Sequence, residues 1–127
     1  MPVQPIDAPD AHGLNAGYAH AMLVTRPDRT LYVSGQVGLR LDGSLAEGFE
    51  AQARQAWANV EAQLRAAGMT LGNVVHHTTF LSDRRYAAQN AEVRKAVLGE
   101  LRPALTTVVT GIFDEAWLLE IQAIAVD

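Results

Sequence analysis

Apolar and polar residues change period several times along the chain, and each change marks an element. Between Phe49 and Ala67, the apolar residues Phe49, Ala53, Ala56, Trp57, Val60, Leu64 and Ala67 recur three, four and seven apart, the spacing of one helix face. Glu50, Arg54, Glu61 and Arg65 lie on or beside the other face. Gly68 follows as a residue able to close the helix with a positive φ. Val74 to Leu81 is β-branched and aromatic and predicts a strand. Asp83 can cap a second helix, about Arg84 to Leu98, with Tyr86, Val93, Ala96 and Val97 inward and Gly99 at its end. Tyr18 to Thr25 reads as a strand, as does Thr30 to Ser34 continuing past Gly35 toward Leu39. Arg26-Pro27-Asp28-Arg29 supplies turn chemistry between them. Asp42-Gly43 marks a tight turn, and strands are predicted over Ala104 to Thr110 and Leu118 to Val126. The first 16 residues read as an irregular arm. The order ββαβαββ, in one domain over residues 1–127, predicts an α+β fold with a sheet and two helices on one face.

Two helices cover only one face of such a sheet. Along the last strand, Leu119, Ile121, Ala123 and Ala125 suit the helix side, while Leu118, Glu120, Gln122, Ile124 and Val126 point the other way. Leu105, Thr107 and Val109 are read as a matching row beside them. That second face is too apolar for water, which implies burial against other subunits.

Composition narrows the chemistry. Hydrophobic residues make up 49% of the 127 positions and charged residues 19%, so a packed core is expected rather than disorder. Ten Lys/Arg against fourteen Asp/Glu give a net charge of −4, and no basic run offsets it, which argues against a nucleic-acid partner. Cysteine is absent, which excludes disulfides and thiolate sites and fits a cytoplasmic protein. No apolar run approaches the roughly 18 residues of a membrane span. His76 and His77 are adjacent in a strand, so they point to opposite faces and cannot chelate one metal. P-loop, dinucleotide, nucleophile-elbow and zinc-protease signatures are missing. No cofactor or metal is expected.

Four small features remain. Val33-Ser34-Gly35-Gln36 brings a strand to a glycine, where backbone can approach a ligand closely. Asn90 lies on the apolar side of the second helix. Arg102-Pro103-Ala104-Leu105-Thr106-Thr107 is a strand opened by proline. Glu120-Ile121 places a carboxylate in a hydrophobic strand, either paired structurally with an arginine or serving proton transfer.

In this order, together with Leu31-Tyr32-Val33-Ser34-Gly35-Gln36-Val37-Gly38, Gln52, Asn59, Ala67-Gly68, Asn73-Val74-Val75 and Phe80-Leu81-Ser82-Asp83, these features resemble the Rid family (reactive intermediate deaminase, also called YjgF or endoribonuclease L-PSP) from about Gly17 to Ala125. The resemblance implies a chorismate-mutase-like fold assembled as a homotrimer, with a central barrel and ligand clefts between subunits. It also implies hydrolysis of enamines and imines to 2-keto acids and ammonia. Carried over, the cleft would hold Tyr18, Ser34, Gly35, Asn90, Leu105 and Thr107 as binding residues and Glu120 as the catalytic carboxylate. Leu105 stands where the family pattern has the arginine that grips the substrate carboxylate, and Thr107 where many members have cysteine. The expected function is therefore a Rid-type trimer with a remodelled cleft. It would bind or hydrolyse a small ligand other than a typical 2-imino acid, neutral or less acidic. One alternative is a 2-imino acid deaminase using a substitute cation such as Arg102; another is a non-catalytic, chaperone-like binding module.

Overall fold

The computed structural model describes residues 2–13 and 17–127. Six strands and two helices follow in the order β1 (Val3–Ile6), β2 (Ala21–Val24), β3 (Thr30–Gln36), α1 (Phe49–Ala66), β4 (Val74–Leu81), α2 (Ala87–Leu98), β5 (Ala104–Val109) and β6 (Leu119–Val126). Four strands form the main sheet in the order β3-β6-β4-β5, with β4–β5 parallel and the other pairs antiparallel. The fold is α+β, with both helices on one side of this sheet.

Helix α1 forms as its periodicity predicts. Phe49, Ala53, Ala56, Trp57, Val60 and Leu64 are buried, and they pack on Leu119, Ile121, Ala123 and Ala125 of β6. Its end is a Schellman motif: Gly68 takes φ 74°, its N–H donates to Arg65, and the Met69 N–H reaches back to Leu64. The second helix begins with a 3₁₀ turn over Arg84–Tyr86, capped by the Asp83 carboxylate, which accepts from the Arg85 N–H at 2.9 Å. Val93 is buried as expected, but Ala96 faces solvent. The inward stripe of α2 is narrow because the helix covers the core with one edge, through Asn90, Val93 and Leu98.

Several expectations need correction. Met1 and residues 14–16 of the arm lie outside the described residues, but Val3–Ile6 is not irregular. It pairs antiparallel with β2, Val3 opposite Val24 and Ile6 opposite Ala21. Proline at position 5 is tolerated because this two-stranded ribbon stands apart from the main sheet. The strand expected over Tyr18–Thr25 is shorter for the same reason, and Ala19 instead bridges to Ala104. Strand β3 ends at Gln36, short of Leu39. The largest correction concerns β5. Parallel pairing aligns His77 with Leu105, Thr79 with Thr107 and Leu81 with Val109. His77, Thr79 and Leu81 are buried on the helix side, so Leu105, Thr107 and Val109 point that way too. The row beside Glu120, Gln122 and Ile124 consists of Phe80, Thr78 and His76, then Val108, Thr106 and Ala104. Alternation could not show this, because β5 is an edge strand whose residues from Thr106 to Val109 are exposed in the single chain.

His77 is the most deeply buried ionisable side chain on the helix side. It is 2% exposed and meets Trp57 edge-on, with ring centroids 5.0 Å apart. Neither ring nitrogen has a hydrogen-bond partner. Burial, then the positive charges of Arg94 and His76, push its pKa down from 6.5 to about 3. The unfolded chain therefore takes up a proton below pH 6.5 that the folded chain refuses until about pH 3. Stability from this group is complete above 6.5 and falls on acidification, by roughly 1.4 kcal/mol per pH unit within that window. Urea unfolding at pH values from about 7 down to about 5, above the carboxylate range, should show this loss, and His77→Leu should flatten it. Parallel curves for the two proteins would remove His77 as the cause.

Candidate functional site

Glu120 sits on the open face of the sheet, half-buried, opposite Phe80 of β4. Its neighbour β3 carries a bulge. From Val33 to Gln36 the chain advances three residues while β6 advances two, from Ala123 to Ile121. Ser34 and Gly35 occupy the bulge. The absence of a side chain at Gly35 gives Glu120 its place: a Cβ there would lie 2.6 Å from the Glu120 carboxyl carbon and 2.8 Å from its Cγ. A small cavity beside the carboxylate is lined by Phe80, Thr110, Gly111, Ile112, Phe113 and Glu120. Phe113 at its rim is 95% exposed.

Two polar residues of α1 fix this arrangement from behind. Gln52 is buried; its Oε1 accepts from the Leu118 N–H at 2.9 Å, and its Nε2 donates to the Ala116 carbonyl at 3.3 Å. It thereby sets the entry into β6. Asn59 Nδ2 donates to the carbonyls of Val37 and Leu39, at 2.9 and 2.8 Å, and so holds the chain leaving β3. Gly38 admits this closeness, since a Cβ there would come within 2.7 Å of the Gln52 Cα. The two strands that carry Ser34, Gly35 and Glu120 are thus tied to one helix.

Tyr18, Asn90, Leu105 and Thr107 lie elsewhere. Asn90 is buried on α2. Leu105 is half-buried and Thr107 exposed on the helix-side face of β5. Tyr18 is held at the start of β5: the Ala19 N–H donates to the Arg102 carbonyl at 3.2 Å, and Arg102 Nη2 donates to the Tyr18 carbonyl at 3.2 Å. Arg102 also pairs with Asp7 at 3.5 Å. Within one chain, Glu120 and Thr107 are therefore on opposite faces, with β4 between their strands. The expected site residues form two groups, and only a second copy could bring them together. Sequence reading did not single out Arg94, four residues beyond Asn90 on α2. It is half-buried, with its Nη2 3.7 Å from where a Gly17 Cβ would stand. Its i, i+4 relation to Asn90 was the available signal. Among the described residues, no cluster of three His, Asp or Glu could hold a metal ion, and no helix is long and apolar enough to cross a membrane.

The profile of the endoribonuclease L-PSP family matches residues 7–127. The chain belongs to that family. Rid-family relatives agree in sequence and in fold. A rat 2-iminobutanoate/2-iminopropanoate deaminase is 37% identical over 121 residues, covering 94% of this chain and 84% of its own. The crystal structure of RidA from an Antarctic Psychrobacter is similar with a TM-score of 0.75 and 33% identity, covering 98% of this chain and 99% of its own. The Rid protein YyfB of Yersinia pestis matches with a TM-score of 0.81 at 28% identity, over the whole of both chains.

The Gly35–Glu120 contact gives a direct test. Gly35→Ala should drive the Glu120 side chain out of its present rotamer and cost about 1–3 kcal/mol, as overpacking does. A crystal structure and urea unfolding of the variant read the two effects. An unmoved Glu120 with unchanged stability would show that the glycine does not provide this space.

Proposed function

We propose that this Rid-family chain forms a homotrimer whose ligand cleft lies between copies, and that this cleft is remodelled to bind or hydrolyse a small ligand other than a typical 2-imino acid. The observation that carries the reading is Leu105. By the sequence resemblance it stands where the family pattern has the carboxylate-gripping arginine, and its neighbours there are Thr107 and the buried His77. An arginine grips a carboxylate through two parallel charge-assisted hydrogen bonds, and leucine offers none. Removing one partner of such a buried pair costs roughly 2–5 kcal/mol. Arg102 is a poor replacement, because its guanidinium is engaged by Asp7 and the Tyr18 carbonyl.

Assembly is supported by the division of the site. Ser34, Gly35 and Glu120 on the open face of one copy and Tyr18, Asn90, Leu105 and Thr107 of another together make one cleft. The open face also carries Tyr32, Phe80, Val108 and Ile124, which water solvates poorly. In hydrolysis of a C=N bond, water adds to the carbon and ammonia leaves from it. Glu120 beside Ser34 is placed to orient that water and carry its proton. The absence of cysteine supports a cytoplasmic setting, and the net charge of −4 argues against RNA as the ligand.

Light scattering at micromolar concentrations should give three times the chain mass. Ile124→Asp should dissociate or unfold the assembly, since an unpaired charge in an apolar interface is costly. A stable monomer would overturn the assembly, and a trimer indifferent to this change would overturn the open face as its interface. For the chemistry, release of keto acid from dehydratase-generated 2-iminobutyrate should be nearly absent in the native protein. Leu105→Arg should recover part of it, and adding Glu120→Gln should abolish the recovered turnover. Strong native activity would refute the remodelled cleft, and ligand-induced thermal shifts without turnover in any variant would assign it to binding alone.

A further inference from the structure

Resting on the cleft just described, a second cation draws notice. Arg94 projects from α2 one helical turn beyond the buried Asn90. Its guanidinium lies against Gly17, which takes φ 74° and has no side chain to intervene. Gly17 and Tyr18 lead directly into Ala19, which bridges to Ala104 where β5 begins. Arg94 is therefore at the β5 edge, on the same side of the sheet as Leu105.

Within its own chain, no carboxylate among the described residues pairs with it. Ion pairs among the described residues engage Arg29, Arg54 and Arg102, but not Arg94. The preceding residues 14–16 are Leu, Asn and Ala, without a carboxylate. Burial pulls the Arg94 pKa below its ordinary value, an effect the Tyr18 phenol only partly offsets. Below it is His77, 2% exposed, neutral, and with both ring nitrogens unpartnered. A guanidinium stays charged in any such place. A half-desolvated cation without an anion, beside an unsatisfied imidazole, is costly unless something binds there.

We propose that Arg94 is the anion anchor of this cleft, holding the carboxylate of a small ligand from the helix side in place of the missing strand arginine. The ligand is then an organic carboxylate rather than a neutral molecule. Leu105 supplies an apolar wall for its hydrocarbon portion, and its carboxylate sits displaced from β5 toward α2. A compact 2-imino acid held there would have its C=N carbon moved relative to Glu120.

The test is equilibrium binding without turnover. Calorimetric titration of the assembled protein uses propionate, butyrate, isovalerate and benzoate, each beside its uncharged amide. At least one acid should bind and its amide should not. Arg94→Met should weaken the acid by about tenfold to a hundredfold, the loss of one or two charge-assisted hydrogen bonds. Arg94→Lys, which keeps the charge but loses the planar fork, should fall between them, and it serves if the methionine variant does not assemble. Lys95→Met, an exposed cation on the same helix, should bind like the native protein. No binding by any acid, equal binding of acid and amide, or full affinity in both Arg94 variants would overturn the proposal. Because no chemistry is measured, a native protein active on 2-iminobutyrate would fail the remodelled-cleft reading and leave this result standing, whereas a monomer would overturn both.

Discussion

Strand β6 hydrogen-bonds on both edges, to β3 and β4, and turns four residues of one parity toward α1. Leu119, Ile121, Ala123 and Ala125 are each at most 1% exposed. From Leu119 to Ala125 the alternation is strict, because a slip of one residue would drive Glu120 and Gln122 into the core and lift Leu119 and Ile121 out of it. The same constraint that builds the core therefore delivers the Glu120 carboxylate to the opposite face. Small residues at 123 and 125 leave room for α1 and its Trp57 to approach the sheet. Once α1 is seated, Gln52 and Asn59 reach the loops at the ends of β6 and β3. Carboxylate, bulge and glycine are thereby fixed relative to one another by α1.

Legibility in the sequence followed burial. The stripe of α1, its closure at Gly68, the Asp83 cap and the faces of β6 were all readable, because each residue there has one environment and periodicity reports it. β1 was hidden, because Val-Gln-Pro-Ile is short, carries proline, and gains its only partner from β2 across residues distant in sequence. The facing of β5 was hidden for a different reason. An edge strand exposed on both sides carries no period of its own, and its orientation comes from a parallel register with β4 set through the intervening helix. Within one chain that error put Thr107 on the Glu120 face of the sheet, whereas it lies on the helix side.

The resemblance to the Rid family identified Leu105 as a departure, but a departure is only half of a substitution. What stands in for a lost group need not be adjacent in sequence or on the same strand. Arg102 drew attention because it is three residues away, yet its side chain is occupied with the N-terminal ribbon and the Tyr18 backbone. Arg94 is eleven positions from Leu105 and on a helix, and it is linked to the head of β5 only through the Gly17–Ala19 segment that its guanidinium touches.

Moving a cation from strand to helix separates two properties that one strand arginine joins. Affinity for a carboxylate needs a guanidinium fork within reach and little else. Hydrolysis would also need the C=N carbon aligned with the water that Glu120 is proposed to orient, and misplacement of about 1 Å can cost a hundredfold in rate. Glu120 is fixed by β6, Gly35 and the ties of Gln52 and Asn59 to α1, none of which involves position 105. A ligand gripped from α2 must therefore bridge a different span to meet the same carboxylate. With Arg94 as the proposed anion anchor and the scaffold of Glu120 unchanged, the cleft would suit a carboxylate of different length or shape, with the apolar surface of Leu105 facing what lies between its two ends.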